Sequence, residues 1–292
     1  MSTTKIGWIG LGKMGIPMSQ QLIKAGYGVG VFNRSKEKEE ALKAQGATVV
    51  SSPAELLQQS DVVIIMVSDD QAVREIFTGD QGLFRAKAEG KIVINMSTVS
   101  PGISKEMASL CKDRSNHYID APVSGSVKQA EEGQLVIMAG GEEKVFQKVK
   151  PILERLGKLA MRVGVTGAGN GAKLAMNTLL GFHAQGLAEA VVFAQQNKIS
   201  PEDFITLVNN SALGNVFTKI KGDAIIKNNY QAAFALKHIA KDLRLAKAEG
   251  LTTPLGEVAF ETFQQAEPAL GEEDIIAIIK QIDHSRRPHF FW

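Results

Sequence analysis

Up to about residue 163 the chain alternates short apolar runs with longer stretches in which apolar positions recur every three or four residues. The runs are "KIGWIG" (5–10), "GVGVFN" (28–33), "DVVIIMV" (61–67), "KIVINMS" (91–97), "HYIDAPV" (117–123), "QLVIMAG" (134–140) and "LAMRVG" (159–164). Their length and β-branched content predict strands. Between them "SKEKEEALKAQG", "SPAELLQQS", "SPGISKEMASLCKDR" and "EKVFQKVKPILERLG" predict amphipathic helices. Ser52 before Pro53 and Ser100 before Pro101 mark helix starts, because proline is tolerated in a first turn. Strands that alternate with helices form a parallel sheet covered on both faces. After "GVTGAGNGAK" (164–173) only helical patterns follow, over 170–197, 201–211, 232–250, 254–267 and 273–280, with Pro254 and Pro268 at helix boundaries. The expected organisation is an α/β domain over residues 1–163 and an all-α domain over 164–292.

The first predicted strand runs into Gly10-Leu11-Gly12-Lys13-Met14-Gly15, a G-x-G-x-x-G loop, then a helix, then a second strand. That context is a dinucleotide-binding unit, so the first domain is expected to be Rossmann-type. Gly10 permits the tight turn, Gly12 leaves room for a pyrophosphate, and Gly15 lets helix pack on strand. The helix N-terminus then offers N–H groups and partial positive charge to the phosphates. The second strand ends on Asn33, Arg34 and Ser35, where an acid would bind both ribose hydroxyls and repel a 2′-phosphate. An amide, a guanidinium fork and a hydroxyl suit that phosphate, so NADP is favoured over NAD.

Composition narrows the class without changing it. The 292 residues are 44% hydrophobic and 22% charged, and 33 basic against 31 acidic side chains leave +2. Such a balance argues against nucleic acid or an anionic membrane as partner. The single cysteine, Cys111, makes no internal disulfide, which suits a reducing compartment. The start of the chain shows no secretory pattern, and the apolar stretch 174–194 is interrupted by Asn177, His183, Gln185 and Glu189. A cytoplasmic protein is expected, with part of that stretch buried against the first domain or another subunit. The five histidines show no metal-binding spacing, so no metal is expected, and no G-x-S-x-G elbow is present. The basic, aromatic tail "HSRRPHFFW" is a candidate subunit contact.

Five stretches together resemble the β-hydroxyacid dehydrogenase family: "IGLGKMGIPM" (9–18), "MSTVSP" (96–101), "DAPVSGS" (120–126), "GNGAKLAMN" (169–177) and "KDLRLA" (241–246). The resemblance covers nearly the whole chain. It implies reversible reduction of a short aldehyde or keto acid by a nicotinamide cofactor, and a homodimer or homotetramer. "FALKHIAKDLRLA" (234–246) and Asn33-Arg34 are most similar to the NADPH-dependent glyoxylate and succinic semialdehyde reductases. A 3-hydroxyisobutyrate-type dehydrogenase and a non-catalytic nucleotide-binding module are the alternatives; imine-reducing relatives usually replace the lysine found here at 173. The chain departs from the family's usual second glycine at Ser126, which puts the size of the anion pocket in question.

The resemblance places Met66, Val67, Ser68 and Thr98 against the cofactor, with Lys241 on the cofactor side of a helix folded over the nicotinamide. It makes the loop Ser124-Gly125-Ser126 the anchor for a substrate carboxylate, through backbone N–H groups and a hydroxyl. Lys173 becomes the proton donor to the developing alkoxide, and Asn177, four residues on and so on the same helix face, orients it or the substrate. As a base in the reverse direction Lys173 needs a depressed pKa, which burial and a nearby cation such as Lys241 would supply. Asp242 is expected to pair with Lys241 or a neighbour. Phe234 and His238 are expected to share a face lining the substrate pocket.

Overall fold

A computed structural model describes residues 4–285. In the α/β region the strands are β1 (Lys5–Ile9), β2 (Gly28–Phe32), β3 (Thr48–Val49), β4 (Val62–Ile65), β5 (Ile92–Asn95), β6 (His117–Asp120), β7 (Val123–Ser124), β8 (Leu135–Gly141) and β9 (Gly157–Gly164). The helices between them are α1 (Gly15–Lys24), α2 (Glu37–Lys43), α3 (Pro53–Gln59), α4 (Asp70–Thr78), α5 (Pro101–Lys112), α6 (Val127–Glu131) and α7 (Glu143–Leu153). Strand order is β3-β2-β1-β4-β5-β6-β8-β7, with β9 also on β8. The first six are parallel, β8 runs antiparallel to β6 and β7, and β9 parallel to β8. The order 3-2-1-4-5-6 is that of a Rossmann fold, whose nucleotide crevice lies where the order reverses, beyond β1 and β4.

The apolar runs are continuous because both faces of these strands are covered. Ile6, Trp8, Ile64 and Ile94 join one core, while Ile9, Val63, Ile65 and Val93 join the other with Phe77 and Met107. Alternate residues thus supply two separate cores, as the period of two requires. Ser52 and Ser100 do cap their helices, accepting from the Glu55 and Ile103 amides at 3.1 and 3.0 Å. Cys111, on the inner side of α5, is wholly buried, and burial pushes its thiol up to about 12.

The helical region holds α8 (Ala168–Gln196), α9 (Pro201–Asn209), α10 (Val216–Ile226), α11 (Leu236–Ala248), α12 (Pro254–Leu270) and α13 (Ile278–Ser285), the last preceded by a short 3-10 turn at Ile275–Ala277. Its core gathers Ala184, Ala188, Val191, Leu236, Ile239, Leu243, Phe263 and Ile276. Chain contacts divide the molecule into two compact units that meet inside α8, between Lys173 and Leu174. The first turns of that helix therefore pack with the α/β unit, beyond the junction at 163/164 expected from the pattern.

Several expectations need correction. "HYIDAPV" is two strands, because Ala121-Pro122 interrupts it and proline has no N–H for a ladder. The two-residue β3 was too short to read. The helix α10 escaped notice because Val216 and Ile220 are solvent-facing, which blurs its apolar stripe. Pro268 lies inside the last turn of α12, not at its boundary. The helix expected from 232 begins only at Leu236. The segment before it is held instead by Asp274, whose Oδ2 accepts from the Ala233 and Phe234 amides at 3.1 and 3.3 Å. The tail from Arg286 onward lies outside the described residues. Among the described residues no helix is long and apolar enough to cross a membrane, and no cluster of side chains could hold a metal ion.

Candidate active site

The glycine loop is shaped by close backbone approach. Gly10 has φ +98°, and a Cβ there would fall 2.1 Å from the Met66 carbonyl oxygen. A Cβ on Gly15 would fall 2.0 Å from the Gly10 carbonyl, which also accepts from the buried Trp8 indole at 3.0 Å. At Gly12, by contrast, a Cβ would meet nothing within 4 Å. Two glycines are therefore needed by the protein itself, while the third keeps open the exposed side of the loop at the N-terminus of α1. That is the arrangement a dinucleotide pyrophosphate requires, so these residues fit a nicotinamide dinucleotide.

Asn33 joins the loop to the end of β2. Its Oδ1 accepts from the Leu11 amide at 2.9 Å and its Nδ2 donates to the Ser35 carbonyl at 2.8 Å. Arg34 and Ser35 follow, both exposed, beside the loop carrying Lys13 and Met14. Sequence reasoning missed Glu39 and Lys36. The Glu39 carboxylate is buried and accepts from the Asn33 amide at 2.8 Å, while Lys36 pairs with it at 3.2 Å and lies 4.9 Å from the Phe32 ring centre. This acid faces the backbone and a lysine, and so does not take the ribose-binding place that a strand-end acid holds in NAD-specific folds.

Met66, Val67 and Ser68 follow the carboxyl end of β4, and Ser97 and Thr98 that of β5. The buried Ser97 hydroxyl accepts from the Val67 amide at 2.8 Å, and the Ser97 amide donates to Asn95 Oδ1 at 3.0 Å. The two strand ends are thus locked together at the edge of the nucleotide crevice. Ser68 donates to Asp69, the cap of α4, at 2.6 Å.

In the Ser124–Ser126 loop, Gly125 has φ +146° and a Cβ there would strike Leu135 at 2.6 Å. Ser126 has a local task. Its amide donates to Gln129 Oε1 at 2.7 Å and its hydroxyl donates to the same oxygen, fastening the start of α6. The hydroxyl thought to adjust the anion pocket is therefore engaged within the loop.

Lys173 is only 8% exposed and sits on the α/β side of the division within α8. In the helical unit, Asn177 is also buried and donates to Asp242, whose Oδ1 lies 3.2 Å from the Lys241 ammonium. The expected pairing of Lys241 with Asp242 is present, joined by Asn177. Phe234 precedes α11 and shares no helix face with His238, yet their ring centres are 5.7 Å apart. Burial and the neighbouring Lys241 hold the His238 imidazole below its ordinary pKa.

A family model described as the NAD binding domain of 6-phosphogluconate dehydrogenase matches residues 5–179. One described as NAD-binding of NADP-dependent 3-hydroxyisobutyrate dehydrogenase matches 167–282. Over 287 residues the chain is 35% identical to glyoxylate/succinic semialdehyde reductase 1 of Arabidopsis thaliana, covering 97% of this chain and 99% of that one. It is 34% identical to the chloroplastic reductase 2 of the same plant, over 97% of this chain and 80% of the relative. Among solved structures, 3-hydroxyisobutyrate dehydrogenase of Mycobacterium tuberculosis with L-serine superposes with a TM-score of 0.88 at 29% identity, over 96% of this chain and 99% of that one.

Proposed function

The chain belongs to the β-hydroxyacid dehydrogenase family, a group of nicotinamide-dependent oxidoreductases, and on that premise we propose that it reduces a small aldehyde or keto acid of the glyoxylate or succinic semialdehyde type with NADPH. Bound cofactor supplies the hydride that the carbonyl carbon receives. Lys173 hydrogen-bonds the carbonyl oxygen and gives it a proton as negative charge develops there, a contribution of the order of 10²–10⁴ in rate for a general acid. The substrate carboxylate rests on Ser124 and the backbone around Gly125, since Ser126 is occupied by Gln129. Asn177, hydrogen-bonded to Asp242, is proposed to steady the lysine or the substrate, and Phe234 and His238, whose rings meet, are proposed as further substrate residues. Thr98 and residues 66–68 would hold the nicotinamide, and Lys241 is proposed as a further cofactor residue.

The observation that supports this reading is that Lys173, in the stretch "GNGAKLAMN" that carries the family resemblance, is withdrawn from solvent at the start of α8. NADPH is favoured by Arg34 and Ser35, exposed next to an asparagine that is itself bonded to the glycine loop. Similarity to the mycobacterial 3-hydroxyisobutyrate dehydrogenase supports a second reading, with a branched 3-hydroxy acid as substrate. The test is kcat/KM for glyoxylate, succinic semialdehyde and methylmalonate semialdehyde, each with NADPH and NADH. Either of the first two should lead, with NADPH. A lead by methylmalonate semialdehyde installs the second reading. Tight NADPH binding with no aldehyde consumed leaves a nucleotide-binding module.

A further inference from the structure

We propose that Asp120 is a positioning residue for Lys173: from the end of β6 its carboxylate caps the start of α8 and, with Asn170, fixes where the lysine sits against the carboxyl ends of the strands. The inference rests on Lys173 being the proton donor.

A helix that begins at Ala168 presents amides in its first turn that need acceptors from outside the helix. Here they come from a distant strand. Asp120 Oδ1 accepts from the Gly167 amide at 2.7 Å and Oδ2 from the Asn170 amide at 2.9 Å. Both oxygens meet N–H donors, which matches a carboxylate, an acceptor at each oxygen. Its negative charge also complements the positive end of the helix.

Asn170 supplies the second hold. Its Oδ1 accepts from the Val99 amide at 3.0 Å and its Nδ2 donates to Ser104 Oγ at 3.1 Å. Asp120 and Asn170 are both fully buried. The backbone is pressed close at the same place. A Cβ on Gly169 would fall 2.4 Å from the Met138 carbonyl, and one on Gly140 would fall 2.6 Å from Asp120 Oδ1. The helix start thus has little freedom to slide or rotate on β6 and β8.

Lys173 lies three residues beyond Asn170, on the same side of the helix. The hold on Asn170 therefore sets both the rotation and the height of the lysine. Its other end is Val99, the neighbour of Thr98, and Ser97 on the far side of Thr98 is locked to Val67. One buried hydrogen-bonded lattice joins the lysine helix to the strand ends proposed to face the nicotinamide. Burial raises the Asp120 pKa, and the amides of Gly167, Asn170 and Gly169 oppose that rise without cancelling it. A carboxylate is costly to bury, so a purely structural cap has cheaper alternatives in serine or asparagine.

The decisive experiment is a double-mutant cycle in the full chain. Asp120→Asn replaces one accepting oxygen by an NH2 donor, which then faces an N–H that needs an acceptor. Its kcat should fall about ten- to a hundredfold, the scale of a 1 Å misplacement, while the Kd for NADPH stays within about twofold. In the Lys173→Met background, followed at high enzyme concentration, Asp120→Asn should produce no further loss. Unchanged kcat in Asp120→Asn, a loss that multiplies in the Lys173→Met background, or weakened NADPH binding in step with kcat would each overturn the proposal. Should Asp120→Asn not fold, Asn170→Ala keeps the capping carboxylate and removes the second hold. It must show the same split between kcat and NADPH binding, and wild-type kcat there refutes the lattice. A Lys173→Met enzyme that retains its kcat removes the donor reading itself, which is a different failure.

Discussion

Two buried carboxylates, one in each unit, solve the same problem with different partners. Asp120 in the α/β unit is held by backbone amides at a helix start. Asp274 in the helical unit accepts from the Lys221 ammonium at 2.7 Å and from the Ala233, Phe234 and Ile276 amides at 3.1, 3.3 and 3.2 Å. The first distributes its charge over dipoles and fixes the course of the chain. The second is neutralised by a full cation and gathers α10, the segment before α11 and the turn before α13 into one knot. Dipoles fix a backbone and so serve geometry at the helix that carries Lys173. An ion pair fixes side chains, and its loss exposes an uncompensated charge.

The largest effect should come from the residue that the first arrangement serves. Lys173→Met should lower kcat by about 10²–10⁴, with NADPH affinity nearly unchanged by fluorescence titration. A small loss would reduce the Asp120 lattice to scaffolding. Lys221→Met removes the cation from the second arrangement and strands Asp274. It should cost about 3–5 kcal/mol in urea unfolding, and the pair Lys221→Met with Asp274→Asn should recover part of that. Recovery of nothing would mean that the knot is held by packing and not by charge.

A charge left at the surface makes the third contrast. Arg34→Asp should move the kcat/KM ratio of NADPH over NADH by about ten- to a hundredfold toward NADH, the worth of a charge-assisted hydrogen bond of about 1.5–3 kcal/mol. An unmoved ratio takes Arg34 out of the cofactor site. Ser52→Ala deletes a cap supplied by the residue immediately before its helix, as distinct from the remote Asp120, and should cost only about 1 kcal/mol of stability. The smallest effect concerns His238, whose folded pKa lies below its ordinary 6.5. Its native form resists protonation, so its share of stability is complete above the unfolded pKa and declines as the pH falls through 6.5 toward the folded value. His238→Gln should flatten that part of the stability profile; an identical slope would assign it to other groups.

The elements that were legible are those whose burial is two-sided or whose ends carry a mechanism. β1, β4 and β5 read as strands because both faces enter a core, and α3 and α5 began where serine precedes proline. The glycine loop was legible because its spacing is local. The lattice behind Lys173 was not. Asp120 and Gly167 are 47 residues apart, Val99 and Asn170 are 71 apart, and no period or spacing links them. Asp120 and Asn170 both stood in stretches already singled out, "DAPVSGS" and "GNGAKLAMN", but a single sequence does not say that they meet. Phe234 shows the converse: the helical register offered for its meeting with His238 is absent, and the rings come together through the Asp274 knot that holds the preceding segment.

The concealment of Cys111 has a practical consequence. The sole sulfhydryl in the chain is sealed under α5 and resists ionisation, so alkylating reagents have no target until that helix lifts from the sheet. The speed of labelling then becomes a clock for opening of the α/β unit alone, a stopwatch the native chain carries without any engineered tag.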